Sequence, residues 1–153
     1  RWNMATGEIN PMPYEYPDLK KVRFIYAASA EHQLYVQCYT QYDLMTICDF
    51  NGNLKCNIYG PKWVNEKTQT QHYSLGVEFC GDKILALYSG GDHRTDAYYP
   101  TKFLVFDLNG NYLKTLETGY MITDFCYDKE NNRLIINLND EIQFAYLDLE
   151  GII

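Results

Sequence analysis

Two turn strings govern what this chain can fold into. Asp49-Phe-Asn-Gly-Asn53 and Asp107-Leu-Asn-Gly-Asn111 each stand between apolar runs, Leu44 to Cys48 and Leu54 to Tyr59 for the first, Phe103 to Phe106 and Tyr112 to Leu116 for the second. Asn-Gly between two such runs is the strongest short hairpin signal, because both residues tolerate positive φ. The pattern predicts a two-residue type I′ turn at Asn51-Gly52 and at Asn109-Gly110, with the preceding Asp bonding the backbone two residues on. A truncated copy, Phe144-Ala-Tyr-Leu-Asp-Leu-Glu-Gly151, puts the recurring Asp at 49, 107 and 148.

The copies mark a longer repeat. Apolar alternation predicts strands at 24–28, 34–39, 44–49 and 54–59, then at 73–79, 84–88, 103–106 and 112–116, then at 121–127, 134–138 and 142–147. Four strands in roughly 40 residues is the period of a propeller blade. Asp148 follows Asp107 by 41 positions, whereas Asp107 follows Asp49 by 58, so about seventeen residues are inserted. They fall at Gly60–Gln71, between units, and at Ser89–Thr101, within unit two. Consecutive strands alternate direction, so both insertions should emerge at one end, opposite the Asn-Gly turns. The continuous runs Ile84-Leu-Ala-Leu87 and Leu134-Ile-Ile136 predict strands buried on both faces.

The expected fold is all-β, about three four-stranded antiparallel blades, a half-propeller. It should occupy residues 22–153 as units 22–59, 72–118 and 120–153, after an extended N-terminal segment, 1–21, that carries Pro11, Pro13 and Pro17. Three blades cannot close a ring that takes at least four. The third unit's missing outer strand is therefore expected from Trp2 to Ile9, or the ring from a homodimer.

Charge and cysteine content narrow the function classes. Twenty acidic against 13 basic residues give a net −7 with no basic stripe, which argues against a nucleic-acid partner. No apolar run nears the ~20 residues that would cross a bilayer. The chain opens on Arg1 with no signal-peptide pattern after it, so the expectation is that something upstream was removed or that this is a piece of a longer protein. Cys38, Cys48, Cys56, Cys80 and Cys126 lie inside predicted strands, without the spacing of a disulfide framework or zinc site. They read as small buried apolar residues. With a two-residue loop, Ile47 faces Cys56 and Lys55 faces Cys48, which puts the two sulfurs on opposite faces.

Paired strands ending in Phe-Asp-x-Asn-Gly, as at Phe106 to Gly110, resemble the blades of TolB-like and NHL-type six-bladed β-propellers. Residues 22–153 are most similar to propeller lipoproteins of the Gram-negative envelope in gut bacteria. That resemblance implies a periplasmic or envelope-attached protein. Together with the lack of catalytic motifs, it points to a non-catalytic binding or scaffolding module whose partner is a small molecule, glycan or protein.

The most site-like stretch is Ser89–Thr101, which gathers Asp92, His93, Arg94, Asp96, Tyr98 and Tyr99. Loops on rigid scaffolds carry function, and aromatic-plus-carboxylate loops suit sugars, peptides or polar small molecules. Trp63 and His72, from the other insertion, join the candidate ligand-binding set. Trp63 reads first as a cap on the core and second as an anchor for a partner. A metal at Asp92, His93 and Asp96 lacks a second His or Cys nearby in sequence, unless the fold brings His72 to it. The Asp-x-Asn-Gly-Asn strings place oxygens as a calcium loop does, but their glycine is fourth rather than sixth, and Gly60 and Thr118 stand where a bidentate Glu belongs. No cofactor or metal is expected. Gly-x-Ser-x-Gly, Gly-rich phosphate loops and His-Glu-x-x-His are all missing, so no catalytic residue is assigned. The rival reading is a propeller-type hydrolase or lyase using the 89–101 loop.

Overall fold

Apolar alternation becomes strand alternation in the computed structural model, which describes residues 5, 6 and 22–153. The expected strand from Trp2 to Ile9 and the proline-bearing connection after it lie outside the described residues. The first sheet is a meander of β1 (Phe24–Ser29), β2 (Leu34–Tyr39), β3 (Leu44–Asp49) and β4 (Leu54–Tyr59). The second is β5 (Thr70–Cys80), β6 (Lys83–Asp92), β7 (Lys102–Asp107) and β8 (Tyr112–Glu117). Among the described residues the third has three strands, β9 (Ile122–Asp128), β10 (Arg133–Leu138) and β11 (Phe144–Asp148). All pairings are antiparallel.

The sheets stack like the blades of a fan. Strand β5 packs beside β1 on one side and beside β9 on the other, so the first strand of each sheet lies innermost. The turns at the same end of these inner hairpins meet: His32 Nε2 lies 2.8 Å from the Gly81 carbonyl, and Lys129 pairs with Glu31 at 2.8 Å. The core sits between the sheets. On β6 the period of two sends Ile84, Ala86 and Tyr88 into the layer shared with the first sheet, and Leu85 and Leu87 into the layer shared with the third. Strand β7 does the same, with Phe106 to one side and Phe103 and Val105 to the other. Full burial of each such side chain contributes roughly 1.5–3 kcal/mol. Four-stranded sheets stacked on a shared inner edge define a partial β-propeller.

Among the described residues the middle sheet alone has both faces covered. The run Ile84 to Leu87 is buried throughout, as its continuous apolarity predicts, but Ile135 on β10 is only half-buried. On the third sheet no other described element covers one face, and Phe144 and Tyr146 there are 69% and 63% exposed. Tyr26 on the first sheet is 70% exposed.

The outer hairpins are built differently from the type I′ expectation. In each, only the glycine is left-handed, Gly52 at φ 90° and Gly110 at φ 85°. Gly52 N donates to Asp49 O at 3.0 Å and Asp49 N to Asn53 O at 2.9 Å, which makes a three-residue loop, a type I turn followed by the left-handed glycine. Gly110, Asp107 and Asn111 repeat this at 3.1 and 3.0 Å. A bulge then absorbs the extra residue: Cys48 pairs with Leu54 but Ile47 with Cys56, and Phe106 pairs with Tyr112 but Val105 with Lys114. From Ile47 onward the register is therefore that of a two-residue loop. All five cysteines are free thiols; Cys38, Cys48 and Cys80 are buried, Cys56 half-buried and Cys126 exposed.

The recurring Asp is the reason for the change of turn type. Asp49 Oδ1 accepts from Asn51 N and Asn53 N, both at 2.9 Å, while Oδ2 accepts from Asn53 Nδ2 at 2.8 Å. Asp107 makes the same three bonds to Asn109 and Asn111. These donors, the Asn side chain first, hold both carboxyls below their ordinary value of 3.8. A folded-state pKa below the unfolded one gives a contribution that is present above pH 3.8 and lost as pH falls through the lowered value. An Asp49→Asn/Asp107→Asn variant should therefore be less stable than the parent at pH 7, with the gap narrowing near pH 3. Urea midpoints at the two pH values test this, and a gap of equal size at both contradicts it.

Candidate functional site

Both insertions are partly strand. Strands β5 and β6 run on past the blade, where Thr70 pairs with Asp92 and Gln71 with Gly91. His93 N donates to Gln69 O at 3.2 Å, and Lys62 Nζ reaches Gly90 O at 3.3 Å. Thr68 and Gln41 exchange bonds that tie the first insertion to the β2–β3 loop. Within the second, Ser89 Oγ donates to Ala97 O at 2.7 Å, and Thr95 caps a 3-10 turn at Asp96–Tyr98. Gly91 is required here, since a Cβ on it would fall 1.9 Å from the Ala97 carbonyl oxygen. The two insertions thus form one knitted ridge at a single end of the second sheet.

The ridge's charged groups are engaged with each other. Arg94 grips Asp92 through Nε to Oδ1 at 3.1 Å and Nη2 to Oδ2 at 2.8 Å, with its backbone N also on Oδ1 at 2.9 Å. Those bonds hold the Asp92 carboxyl far below the usual carboxylate range. His93 Nδ1 lies 2.9 Å from Gln69 O and 3.8 Å from Asp92 Oδ1. Asp92 is thus a bound counter-ion and not a poised base. His93, Arg94 and Asp96 are exposed, and the stacked pair Tyr98–Tyr99, whose ring centroids are 4.2 Å apart, is half-buried beside them. Tyr99's hydroxyl, by its hydrogen bond, pushes the Tyr98 phenol above its ordinary value. Among the described residues no group of three His, Cys, Asp or Glu is arranged to hold a metal.

Two candidates lie elsewhere. Trp63 packs on Tyr59 and Tyr42, with centroids at 4.8 and 6.1 Å, and closes the small core cluster of Tyr39, Tyr42 and Leu44. His72 is a strand residue, 1% exposed, and so is no part of an open face. Its Nδ1 is 3.3 Å from the Tyr88 hydroxyl and 3.8 Å from Asp43 Oδ1. Burial pushes the His72 imidazole pKa down, against the pull of Asp43.

Asp43 was not singled out by the sequence, and its setting is unusual. It sits in the β2–β3 loop, 1% exposed, with the Gly60–Pro61 link lying over it. Lys62 N donates to its Oδ2 at 2.9 Å, and Gly60 N donates to its backbone carbonyl at 2.8 Å. Oδ1 makes no hydrogen bond of good geometry among the described residues. Asp43 lines a cleft of about 360 Å³ between the first two sheets, walled by Ile58, Tyr73, Tyr88, Leu104, Phe106 and Tyr112. Burial, with the Asp43 charge, pushes the Tyr88 phenol far above its ordinary value. No local pattern signals this site, because it needs Gly60 to fold back over a residue seventeen positions earlier.

No family model matches this chain, and no curated protein does. Among solved structures it is similar to the WD40 domain of Neurospora crassa Pan2, at 14% identity and a TM-score of 0.48, over 82% of this chain. The chain spans 32% of the length of that structure. The fold assignment rests on the sheets themselves. Among the described residues no helix is long and apolar enough to cross a membrane.

Proposed function

We propose that this chain is a non-catalytic binding module of the bacterial cell envelope, of the TolB-like or NHL-type propeller class, that captures a glycan or peptide on the ridge. The envelope assignment is supported by the resemblance of its outer hairpins. The binding assignment is carried by one observation: two separate insertions are hydrogen-bonded into a single ordered ridge that carries a half-buried stacked tyrosine pair beside the exposed Asp96. Aromatic faces beside an exposed carboxylate suit sugar rings and peptide backbones. Catalysis by the same loop is disfavoured, because Asp92 is locked to Arg94 and His93 Nδ1 is bonded to a backbone carbonyl.

Screening glycan and peptide arrays, followed by calorimetry on the hits, tests the reading. Tyr98→Ala/Tyr99→Ala should weaken capture at least tenfold while leaving the melting temperature nearly unchanged. Hits that bind the variant as tightly as the parent would move the site off the ridge, and arrays without a hit would remove the reading.

A further inference from the structure

We infer that the cleft between the first two sheets is a second binding site, for a small zwitterionic amine, an amino acid with an apolar side chain. It is separate from the ridge and does not depend on it. The volume of about 360 Å³ is at the lower end of what ligand pockets occupy. Its walls are the apolar faces of β4, β7 and β8, with Tyr73 and Tyr88 at the second sheet.

Asp43 supplies the anionic pole. Among the described residues its carboxylate is held in place from one side, by Lys62 N on Oδ2. It lies so close to Gly60 that a Cβ there would fall 2.1 Å from Oδ1. Among the described residues Oδ1 makes no hydrogen bond of good geometry, and the basic group beside it is His72 Nδ1 at 3.8 Å, itself buried. A buried carboxylate with no cation in hydrogen-bond contact is costly, and a bound ammonium that donates to it relieves that cost. A divalent metal ion is a poor occupant, since it takes six or more oxygens and the cleft offers one carboxylate among apolar and aromatic groups. An ammonium group fits better. It is compact, donates three hydrogen bonds, and is attracted to the faces of the tyrosine rings.

Lys102 supplies the cationic pole. It lines the same cleft, with Nζ 5.9 Å from the Tyr88 ring centroid. A bare amine would meet that like charge, whereas a carboxylate on the ligand pairs with it. One buried anion, one cation at the wall and an apolar body between them match an α-amino acid.

Calorimetry of the chain with L-phenylalanine, phenethylamine and 3-phenylpropionate reads each pole separately. L-Phenylalanine should bind, and each analogue, lacking one charged group, at least tenfold more weakly. Lys102→Met should bring L-phenylalanine down to the level of phenethylamine. Asp43→Asn should abolish binding of both amines. Because Asp43→Asn also weakens the hold on Lys62 N, the Lys102 variant decides if that protein fails to fold. Tyr98→Ala/Tyr99→Ala should leave L-phenylalanine binding unchanged, which keeps this site distinct from the ridge. Absence of binding by all three compounds, equal binding of the three, or an unchanged or raised affinity in Lys102→Met overturns the inference; a rise is expected if Lys102 itself neutralises Asp43.

Discussion

Gly60→Ala should lower the melting temperature by about 6–12 °C, a loss of about 3 kcal/mol at 2–4 °C per kcal/mol for a domain of this size. The single methyl group would stand 2.1–2.2 Å from Oδ1, Cγ and Oδ2 of Asp43. A flexible side chain could swing aside, but Asp43 is short, 1% exposed and bonded to Lys62 N. Either the carboxylate leaves Lys62 N unpaired or the 60–63 link lifts off, taking Trp63 away from Tyr42 and Tyr59. Overpacking costs about 1–3 kcal/mol and a lost buried bond about 1–3 more. If the clash with the carboxylate is the cause, Gly60→Ala/Asp43→Ala should be less unstable than the sum of its single changes. Additive losses in thermal melts would place the cost elsewhere.

That pair of residues also shows where a sequence stops being informative. Strand positions were legible because apolar alternation is a local signal, and the observed strands differ from the expected ones mainly by extension at β5 and β6. The common end of the two insertions followed from strand direction alone, and their residues do lie side by side. Turn type was misread, because Asn-Gly favours a type I′ turn only when nothing competes for its N–H groups. Here the Asp two residues earlier takes Asn51 N and Asn53 N together, and a type I turn with a single left-handed glycine satisfies it. His72 was assigned to a loop because a polar Gln-Thr-Gln-His run hides the start of a strand, and only the packed neighbour reveals that the imidazole is inside. Asp43 and Gly60 carry no local pattern at all. Their relation is created by the link from β4 to β5 crossing back over the β2–β3 loop.

Gly110→Val should also cost about 3 kcal/mol, for two separable reasons that reach across blades. The first is conformational: φ at Gly110 is 85°, and a β-branched residue held in that region costs about 1–3 kcal/mol. The second is steric. A Cβ at Gly110 would stand 2.8 Å from Ile58 Cδ1 and 2.9 Å from Cys56 Sγ, both on β4 of the neighbouring sheet. The Cys56 thiol also donates to the Asn109 carbonyl at 3.5 Å, so the second sheet's outer turn is seated on the first sheet's outer strand. Gly119→Val isolates the first reason, since Gly119 has φ 73° but open space where the side chain would go. Ile58→Val in the Gly110→Val background tests the second, because removing Cδ1 relieves the tightest contact and should recover part of the loss. Thermal melts of the four proteins give the separation directly. Equal losses for Gly110→Val and Gly119→Val, with no recovery from Ile58→Val, would mean that the turn does not rest on the neighbouring blade.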